Sequence, residues 1–397
     1  MSGSTTASEG RTGIVARLLE VASWAAEDAG EIRVVRAPGR INLIGEHTDY
    51  NQGYVLPAAI GLETRIASVA DSSGRVELTS VEAAETSSFD IADPGPPREQ
   101  WIDYVGGMAV TLAQRGVPLR GFRGVLESDI PMGSGLSSSA ALELAAAWSL
   151  SRDVPPPLPP LELTQAAQQA ENEYVGVRCG LMDQFTSALG QPGRALLLDC
   201  RSLESRPVAL PEGHVLVALD TRSPHRLGTS EYNARRAQCE RAVAALAADH
   251  PNVKSLRDVT PDLFAALTDR VDEATVRRCR HVVDENARVL DTVAALEAGD
   301  LDSVGRLFGE SHASLRDLYE VSSPELDALV EIAGRVDGVV AARMTGAGFG
   351  GCTVNIVRDG AQDELRSAVA REYPQRTGLE AGFYVVAPVV GAGLLPR

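Results

Sequence analysis

The chain has 397 residues, of which 44% are hydrophobic and 23% are charged, a composition typical of globular proteins. Its formal net charge of −17 disfavours binding to nucleic acid or to acidic membranes, because both need a basic surface. No apolar run predicts a transmembrane helix, and residues 1–10 contain no hydrophobic signal-peptide core. The five cysteines are widely spaced and include no CxxC pair, so neither a disulfide framework nor a zinc site is predicted. We therefore expect a cytoplasmic protein with about two or three domains.

The spacing of apolar residues divides the chain into helices and strands. Residues 14–29 predict a helix that ends at Gly30, and a strand beginning near Ile32 is expected to end in a turn at Pro38 and Gly39. Further strands are predicted at 55–60, 63–70, 75–79, 122–126, 194–198, 214–218, 338–343, 352–357 and 383–390. Further helices are predicted at 104–115, 138–152, 161–174, 231–248, 273–297, 301–319 and 324–335. Helices that cross over antiparallel strands predict an α+β fold with mixed or antiparallel sheets, rather than a doubly wound parallel sheet.

The composition changes near residues 201–211, so we predict a domain boundary there, with an N-terminal domain at 1–205 and a C-terminal domain at 206–397. Residues 154–160, VPPPLPP, cannot lie in a helix or in a central strand. This proline run predicts a surface loop, and the alternatives are a domain linker or a partner-binding proline motif.

A polar segment follows the first predicted strand. Residues 46–51, Glu-His-Thr-Asp-Tyr-Asn, place six polar side chains in succession between apolar runs, with Arg40 shortly before them. Neither a helix nor a strand fits this pattern, because neither period leaves an apolar face. Carboxylates accept hydrogen bonds from hydroxyls, whereas His and Asn donate and accept, so the segment suits a small polyhydroxylated ligand. The alternative is a solvated loop with a few salt bridges.

A glycine- and serine-rich stretch precedes the helix predicted at 138–152. Residues 133–139, Gly-Ser-Gly-Leu-Ser-Ser-Ser, allow backbone N–H groups to converge on an anion, and the helix start adds unpaired donors. An ordinary helix cap needs one serine and explains neither three serines nor the glycines. No lysine follows, so the stretch is not a Walker A loop, and a bound nucleotide would need a metal ion to neutralise its charge.

Two further features bear on chemistry. Residues 346–351, GAGFGG, satisfy the pattern G-x-G-x-x-G, but a dinucleotide site needs a helix after the glycines and here a strand is predicted. We therefore expect a tight hairpin or a loop that closes over a site. Asp183 lies in the largely apolar stretch CGLMDQF, so its carboxylate is expected to be either ion-paired or functional.

Five segments resemble, in the same order, the motifs of the galactokinases, which belong to the GHMP small-molecule kinase superfamily. They are GRINLIGEHTDYNQGYVLP at 39–57, PMGSGLSSSA at 131–140, AENEYVGVRCGLMDQF at 170–185, SEYNARRAQCE at 230–240 and RMTGAGFGGC at 343–352. The resemblance implies a two-domain GHMP kinase-like fold with the active site in the interdomain cleft.

The activity that the resemblance implies is transfer of phosphate from MgATP to the C1 hydroxyl of α-D-galactose, the first step of galactose metabolism by the Leloir pathway. The alternatives are a kinase for another sugar, such as N-acetylgalactosamine, and a catalytically silent galactose sensor. Thr48 and Asn51 fit the galactose pattern better, and the phosphate loop is complete, unlike that of the sensors.

The resemblance also implies roles for particular residues. Asp183 would accept the proton of the C1 hydroxyl, with Arg40 paired to it beside the transferred phosphate. Further sugar contacts would be Glu46, His47, Thr48, Asp49, Gly180 and Tyr232. The nucleotide would contact Ser80, Gly133, Ser134, Gly135, Leu136, Ser137, Ser138 and Ser139. Ser139 and Glu171 would hold Mg²⁺, although Glu171 by its helical position alone would be a surface residue. The implied partners are galactose and MgATP, and the protein is expected to be a monomer or a weak homo-oligomer.

Overall fold

The computed structural model of the protein describes residues 12–20, 31–223 and 228–396. Residues 12–20 are helical, as predicted, but the predicted helix end at Gly30 lies outside the described residues. The strands form a six-stranded, a four-stranded and a three-stranded sheet. Within the described ranges, no helix is both long and apolar enough to cross a membrane.

The six-stranded sheet is the centre of the first domain. Its strands are β1 (Arg33–Asn42), β3 (Pro57–Asp71), β4 (Arg75–Ser80), β5 (Glu85–Asp90), β6 (Gly121–Ser128) and β13 (Gly393–Leu394). Their order is β13-β1-β3-β6-β4-β5, and every pair is antiparallel except β4 with β6. A three-stranded sheet lies beside it and contains β2 (Tyr54–Val55), β7 (Arg194–Asp199) and β8 (Ser205–Ala209).

Helices of the first domain cover the six-stranded sheet. They are α1 (Ile102–Gln114), α2 (Ser138–Leu150), α3 (Pro160–Gln169), which continues as a π-helical turn at Ala170–Val175, and α4 (Met182–Leu189). Helix α2 is rich in buried alanines, and such small side chains let it pack closely against β1 and β3. Because of this close packing, the loop before α2 lies beside the end of β1.

The second domain is built on the four-stranded sheet. Its strands are β9 (His214–Asp220), β10 (Val339–Thr345), β11 (Cys352–Arg358) and β12 (Gly382–Val386), in the order β10-β11-β9-β12. Its helices are α5 (Gly228–Ala247), α6 (Pro261–Leu267), α7 (Glu273–Ala298), α8 (Leu301–Ser314), which continues as a π-helical turn at Leu315–Tyr319, α9 (Pro324–Ala333) and α10 (Gln362–Thr377). Mixed sheets with covering helices confirm the α+β class. The domain boundary at residues 205 and 206 stays a prediction.

The turn predicted at Pro38 and Gly39 is wrong. Strand β1 continues through both residues, and its register with β3 shifts between Pro38 and Arg40. Gly39 allows this close packing, because a Cβ there would lie 2.6 Å from the carbonyl oxygen of Leu136. The backbone N–H of Arg40 donates to that same oxygen at 3.1 Å. At this irregularity, the end of β1 is thus hydrogen-bonded to the loop before α2.

Other boundaries also differ from the prediction. The strands predicted at 55–60 and 63–70 belong mainly to one strand, β3, and the strand predicted at 383–390 ends at Val386. Strands β5 and β8 and helices α6 and α10 were missed. Both strands are short and largely exposed, so they lack an alternating pattern, and α10 is rich in charged residues and contains a proline. Residues 154–159 of the proline run form a loop, as predicted, but Pro160 begins α3.

Candidate active site

A cavity of about 370 Å³ lies where the polar segment after β1, the loop before α2, the start of α4 and the glycine loop between β10 and β11 meet. Both domains therefore contribute to its wall. The predicted site residues in the wall are Arg40, Glu46, His47, Asp49, Gly133, Gly135, Ser139, Glu171, Gly180, Asp183 and Tyr232. The glycine loop joins strand β10 to strand β11, so the structure excludes a dinucleotide fingerprint there.

Arg40 and Asp183 form a two-pronged ion pair at the centre of the wall. Arg40 Nε donates to Asp183 Oδ1 and Arg40 Nη2 donates to Asp183 Oδ2, both at 2.8 Å. The hydroxyl of Ser137 donates to Asp183 Oδ2 at 2.5 Å, and Arg40 Nη1 donates to the carbonyl oxygen of Gly135 at 2.5 Å. Charged hydrogen bonds of this kind are strong and directional. They fix the Asp183 carboxylate in the first turn of α4, where its side chain keeps 25% of its exposure.

Asp49 is a second carboxylate in the wall. A Cβ at Gly180 would lie 1.8 Å from Asp49 Oδ2, so Asp49 occupies the space that any side chain at position 180 would need. Burial, together with the nearby charge of Asp183, raises the pKa of Asp49 to about 6. The Asp49 carboxylate is therefore mostly ionised at neutral pH and can accept hydrogen bonds from hydroxyl groups.

His47 is the imidazole of the polar segment and has a positive φ of 64°. Its Nδ1 lies 2.9 Å from the hydroxyl of Tyr50, and its ring centre lies 5.7 Å from that of Tyr232. Burial is the main reason that the pKa of His47 is lowered to about 3. The imidazole is therefore neutral, and a neutral ring has one donor and one acceptor nitrogen.

Glu46 and Thr48 differ in their relation to the cavity. Glu46 lines the wall, forms an ion pair with Arg343, and accepts a hydrogen bond from the N–H of Gly346 at 3.1 Å. Burial raises the pKa of Glu46, against the opposing charge of Arg343. Thr48 is buried outside the wall, and its hydroxyl lies 2.8 Å from the carbonyl oxygen of Gly45. Thr48 is thus the one predicted sugar-binding residue that does not line the cavity; it holds the turn instead.

The loop before α2 has positive φ angles of 69° at Gly133, 72° at Gly135 and 65° at Ser137. These angles curve the backbone around the wall, as an anion cradle requires. Gly133, Gly135 and Ser139 line the main cavity. The side chains of three predicted nucleotide contacts in this loop are elsewhere: the Ser134 hydroxyl donates to the carbonyl oxygen of Pro131 at 2.7 Å, the Leu136 side chain belongs to the core, and the Ser137 hydroxyl donates to Asp183.

A second cavity, of about 180 Å³, lies beside this loop and is mostly apolar. Three predicted nucleotide contacts line it, namely Ser80, Ser138 and Ser139. Trp101, Tyr104 and Met132 line it as well, and sequence reasoning missed all three. Aromatic residues at a helix start are more often part of a core, so only the adjacent phosphate loop could have indicated their position.

Glu171 is buried, with 5% of its surface exposed, so the interpretation of Glu171 as a surface residue is wrong. It hydrogen-bonds to Ser139, and Gln184 Nε2 donates to Glu171 at 2.6 Å and to Glu143 at 3.0 Å. Burial, with the charge of Asp183, raises the pKa of Glu171 to about 7, and burial with the charge of Glu171 raises that of Glu143 well above its usual value. Glu143 was missed, although a lone carboxylate in an alanine-rich helix is itself a signal.

Ser139 and Glu171 fit the predicted Mg²⁺ ion chemically. A hydroxyl and a carboxylate are hard oxygen ligands, and Mg²⁺ typically binds one or two protein groups together with phosphate oxygens. The raised pKa values of Glu143 and Glu171 are caused mainly by burial and then by neighbouring negative charge, and a divalent cation would relieve the second cause. Nowhere in the described ranges do three or more His, Cys, Asp and Glu side chains form a metal cluster. A shared protein and phosphate site is therefore the arrangement that these residues fit.

Models of known families match three parts of the chain. They are the galactokinase galactose-binding signature at residues 26–70, the GHMP kinase N-terminal domain at 103–191 and the GHMP kinase C-terminal domain at 292–375. A galactokinase from Roseiflexus sp. (strain RS-1) is 43% identical over 360 residues, which are 91% of this chain and 92% of that relative. The chain belongs to the galactokinase family.

Solved structures support the same family and also identify the fold. The crystal structure of Lactococcus lactis galactokinase complexed with galactose matches with a TM-score of 0.85 and 38% identity, over 91% of this chain and 95% of that one. Methanococcus jannaschii mevalonate kinase matches with a TM-score of 0.67 and 17% identity, over 91% and 99% of the two chains, and shows the shared fold alone. The predicted galactokinase family and its two-domain GHMP kinase fold are confirmed.

Proposed function

We propose that the protein transfers the terminal phosphoryl group of ATP, bound with Mg²⁺, to the anomeric C1 hydroxyl of α-D-galactose, giving galactose 1-phosphate and ADP. The observation that carries the proposal is the Arg40–Asp183 pair, because it lies where the polar segment meets the phosphate loop. Membership of the galactokinase family and the match to a galactokinase complexed with galactose support the choice of sugar.

Asp183 and Arg40 have the catalytic roles in this proposal. Asp183 orients the C1 hydroxyl and accepts its proton, and Arg40 stabilises the charge of the transferring phosphoryl group. In a loose transition state, little proton transfer precedes formation of the new phosphorus–oxygen bond. Orientation and charge stabilisation are therefore expected to contribute more than strong base catalysis. Mg²⁺, held by Ser139 and Glu171, would neutralise phosphate charge.

The two cavities divide the substrates between them. In the main cavity, Glu46, His47, Asp49, Gly180 and Tyr232 contact the sugar. Buried polar groups of this kind discriminate strongly between epimers, because the wrong epimer leaves one group unpaired. The apolar cavity beside the phosphate loop receives the adenine ring. Ser139 lines both cavities, so the phosphates are expected to extend past it.

We also infer that the protein works in the cytoplasm as a monomer or a weak homo-oligomer, with a domain boundary near residues 205 and 206. Free thiols support a reducing compartment, and all five cysteines are free: Cys179, Cys200, Cys239, Cys279 and Cys352.

The test is Mg²⁺-dependent release of ADP from ATP, with galactose compared with glucose, N-acetylgalactosamine and mevalonate. Turnover with galactose alone is the expected result. Turnover with another acceptor and none with galactose would overturn the choice of substrate. Galactose that raises the melting temperature without any turnover would identify a sensor instead, because a ligand that binds the native state stabilises it.

A further inference from the structure

The polar segment and its flanks, residues 43–54, are here called the sugar loop, and side chains of the second domain hold its backbone. Glu285 Oε1 accepts from the N–H of Gly45 at 3.1 Å, and Asn286 Oδ1 accepts from the N–H of Tyr54 at 2.9 Å. His281 Nε2 lies 3.2 Å from the carbonyl oxygen of Glu46. The loop has no regular secondary structure of its own over most of its length, and three of its backbone groups are paired by side chains of helix α7.

These three residues lie on the side of α7 that faces the sugar loop. His281 and Glu285 are four residues apart, a spacing that brings side chains to the same side of a helix, and Asn286 follows on the adjoining side. All three are buried. The contact is close at Gly53, where a Cβ would lie 2.3 Å from Asn286 Oδ1. The face of α7 thus fits the sugar loop at both of its ends.

Arg343 connects this helix face to the cavity. It is fully buried on β10, forms the ion pair with Glu46, and donates through Nη1 to the carbonyl oxygen of Leu43 at 2.8 Å. Its Nη2 lies 3.9 Å from Glu285 Oε1. The Nη2 atom of the buried guanidinium therefore lies near two carboxylates, and only one of them, Glu46, lines the cavity.

Glu285 is strongly fixed in this arrangement. Arg288 Nε donates to Glu285 Oε2 at 2.7 Å, and the hydroxyl of Ser311 donates to Glu285 Oε1 at 2.6 Å. Burial raises the pKa of Glu285, but the charges of Arg288, His281 and Arg343 outweigh burial and lower it to about 2. The carboxylate is therefore ionised, and its charge is shared between Arg288 and Arg343.

We propose that Glu285 is a positioning residue for the sugar, which acts from the second domain through the N–H of Gly45 and through Arg343 to fix Glu46 at the cavity wall. Glu285 itself does not line the cavity. The inference rests on the proposed function and identifies helix α7 as the element that positions the sugar site. A displacement of the sugar loop by a fraction of an ångström would misplace Glu46 and His47 together, and misplaced groups lose much of their binding energy.

The test compares Glu285→Gln with Glu297→Gln in the full-length protein. Glutamine keeps the size of Glu285 but removes its charge. Glu297 lies near the C-terminal end of the same helix in an exposed ion pair with Arg206. For Glu285→Gln, we expect the KM for galactose to rise about tenfold, the loss that corresponds to one weakened charged hydrogen bond. The KM for MgATP should stay within about twofold, because the hydrogen bonds of Glu285 go to Gly45, Arg288 and Ser311 and none goes to the phosphate loop. Glu297→Gln should match the wild type.

A binding measurement without nucleotide separates positioning from catalysis. Galactose should raise the melting temperature of the wild type and of Glu297→Gln, and the shift at equal galactose concentration should be smaller for Glu285→Gln. An unchanged KM for galactose, or an equal loss for both substrates with an unchanged galactose-induced shift, would overturn the positioning role.

Ser311→Ala is the milder second variant, which decides the question if Glu285→Gln does not fold. It removes a single hydroxyl that donates to Glu285 and leaves the charges in place. A selective rise in the KM for galactose of about twofold to threefold is expected, and equal KM values in variant and wild type would contradict the proposal. A wild-type protein that does not phosphorylate galactose would overturn the proposed function instead, so the two failures are distinguishable.

Discussion

The two ends of the main cavity differ in how their charges are balanced. At the sugar end, Glu46 is paired with Arg343, and burial keeps His47 neutral. At the metal end, which has the proposed Mg²⁺ site, Glu171 shares one amide donor, Gln184 Nε2, with Glu143, which is buried and does not line the cavity, and neither carboxylate forms a salt bridge with any residue that the structure describes. The protein itself thus compensates the charge of Glu46, whereas Asp49 at the same end forms no salt bridge within the described residues and has a raised pKa. At the other end, the proposed ligand, Mg²⁺ with its nucleotide, would supply the compensating charge.

This difference teaches how one small cavity can hold two kinds of group. Rigid recognition of hydroxyls needs donors and acceptors whose own charges are already satisfied, because only then is their geometry fixed before the sugar binds. A cation site works in the opposite way, since uncompensated carboxylates attract the ion. Asp183 stands between the ends, because it pairs with Arg40 and also raises the pKa values of Asp49 and Glu171.

The largest effect on activity is expected for a change at Asp183, which lies between the two ends of the cavity. Asp183→Asn should lower kcat by about 100-fold or more, because the amide cannot accept the proton of the hydroxyl or balance the charge of Arg40. Steady-state kinetics with galactose measures it. Asp153→Asn, which alters an exposed ion pair with Arg120, is the control. Near-normal turnover in Asp183→Asn would remove Asp183 from the catalytic role.

Gly180→Ala tests the sugar end alone. The new Cβ would displace the Asp49 carboxylate, so the Kd for galactose should rise about 30-fold, as expected for the loss of a charged hydrogen bond. Calorimetric titration with galactose measures the change. Gly309→Ala is the matched control, since a Cβ at that helical position meets nothing within 4 Å. Wild-type affinity in Gly180→Ala would show that Asp49 does not contact the sugar.

Glu171→Gln tests the metal end alone. The Mg²⁺ concentration that gives half-maximal activity should rise about tenfold, because a neutral amide is a weaker ligand than a carboxylate. Galactose binding measured without nucleotide should be unchanged. Glu173→Gln, two residues away and exposed, is the control. An unaltered Mg²⁺ requirement would assign the cation to other residues.

The smallest expected effect is a pH dependence at the sugar end. The pKa of Asp49 is raised to about 6, so its carboxylate gains a proton as the pH falls through that value and loses capacity to accept from hydroxyls. The affinity for galactose should therefore be about fourfold lower at about pH 5.5 than at about pH 7.5. Asp183, Arg40 and Arg236 face the same group and shape its titration. Asp49→Asn should bind more weakly and show no such pH dependence.

The sequence predicted most of the cavity wall, because the chemistry of each motif is carried by residues close together in the chain. It did not predict the partners that distant segments supply. Arg343 and Glu285 meet the sugar loop only after the domains pack, and neither the glycine motif that begins at Arg343 nor the helical pattern around Glu285 reveals that contact. Glu171 was placed on a surface because a helical pattern alone does not show which face is covered. Local pattern also failed at Gly39, where packing against the next loop keeps the strand intact.

The end of the chain has a consequence for how the cleft opens. Strand β13 pairs with β1, and Arg36 Nη1 donates to the carbonyl oxygens of Val390 and Gly391 at 3.0 Å each. The polypeptide therefore passes between the two domains twice, once between β8 and β9 and again between β12 and β13. Two connections allow the domains to bend about the line that joins them, whereas a twist would strain both connections. A single cut at Ala387, before the residues from Pro388 onward that hydrogen-bond to the first domain, would remove that restriction and leave the catalytic groups untouched.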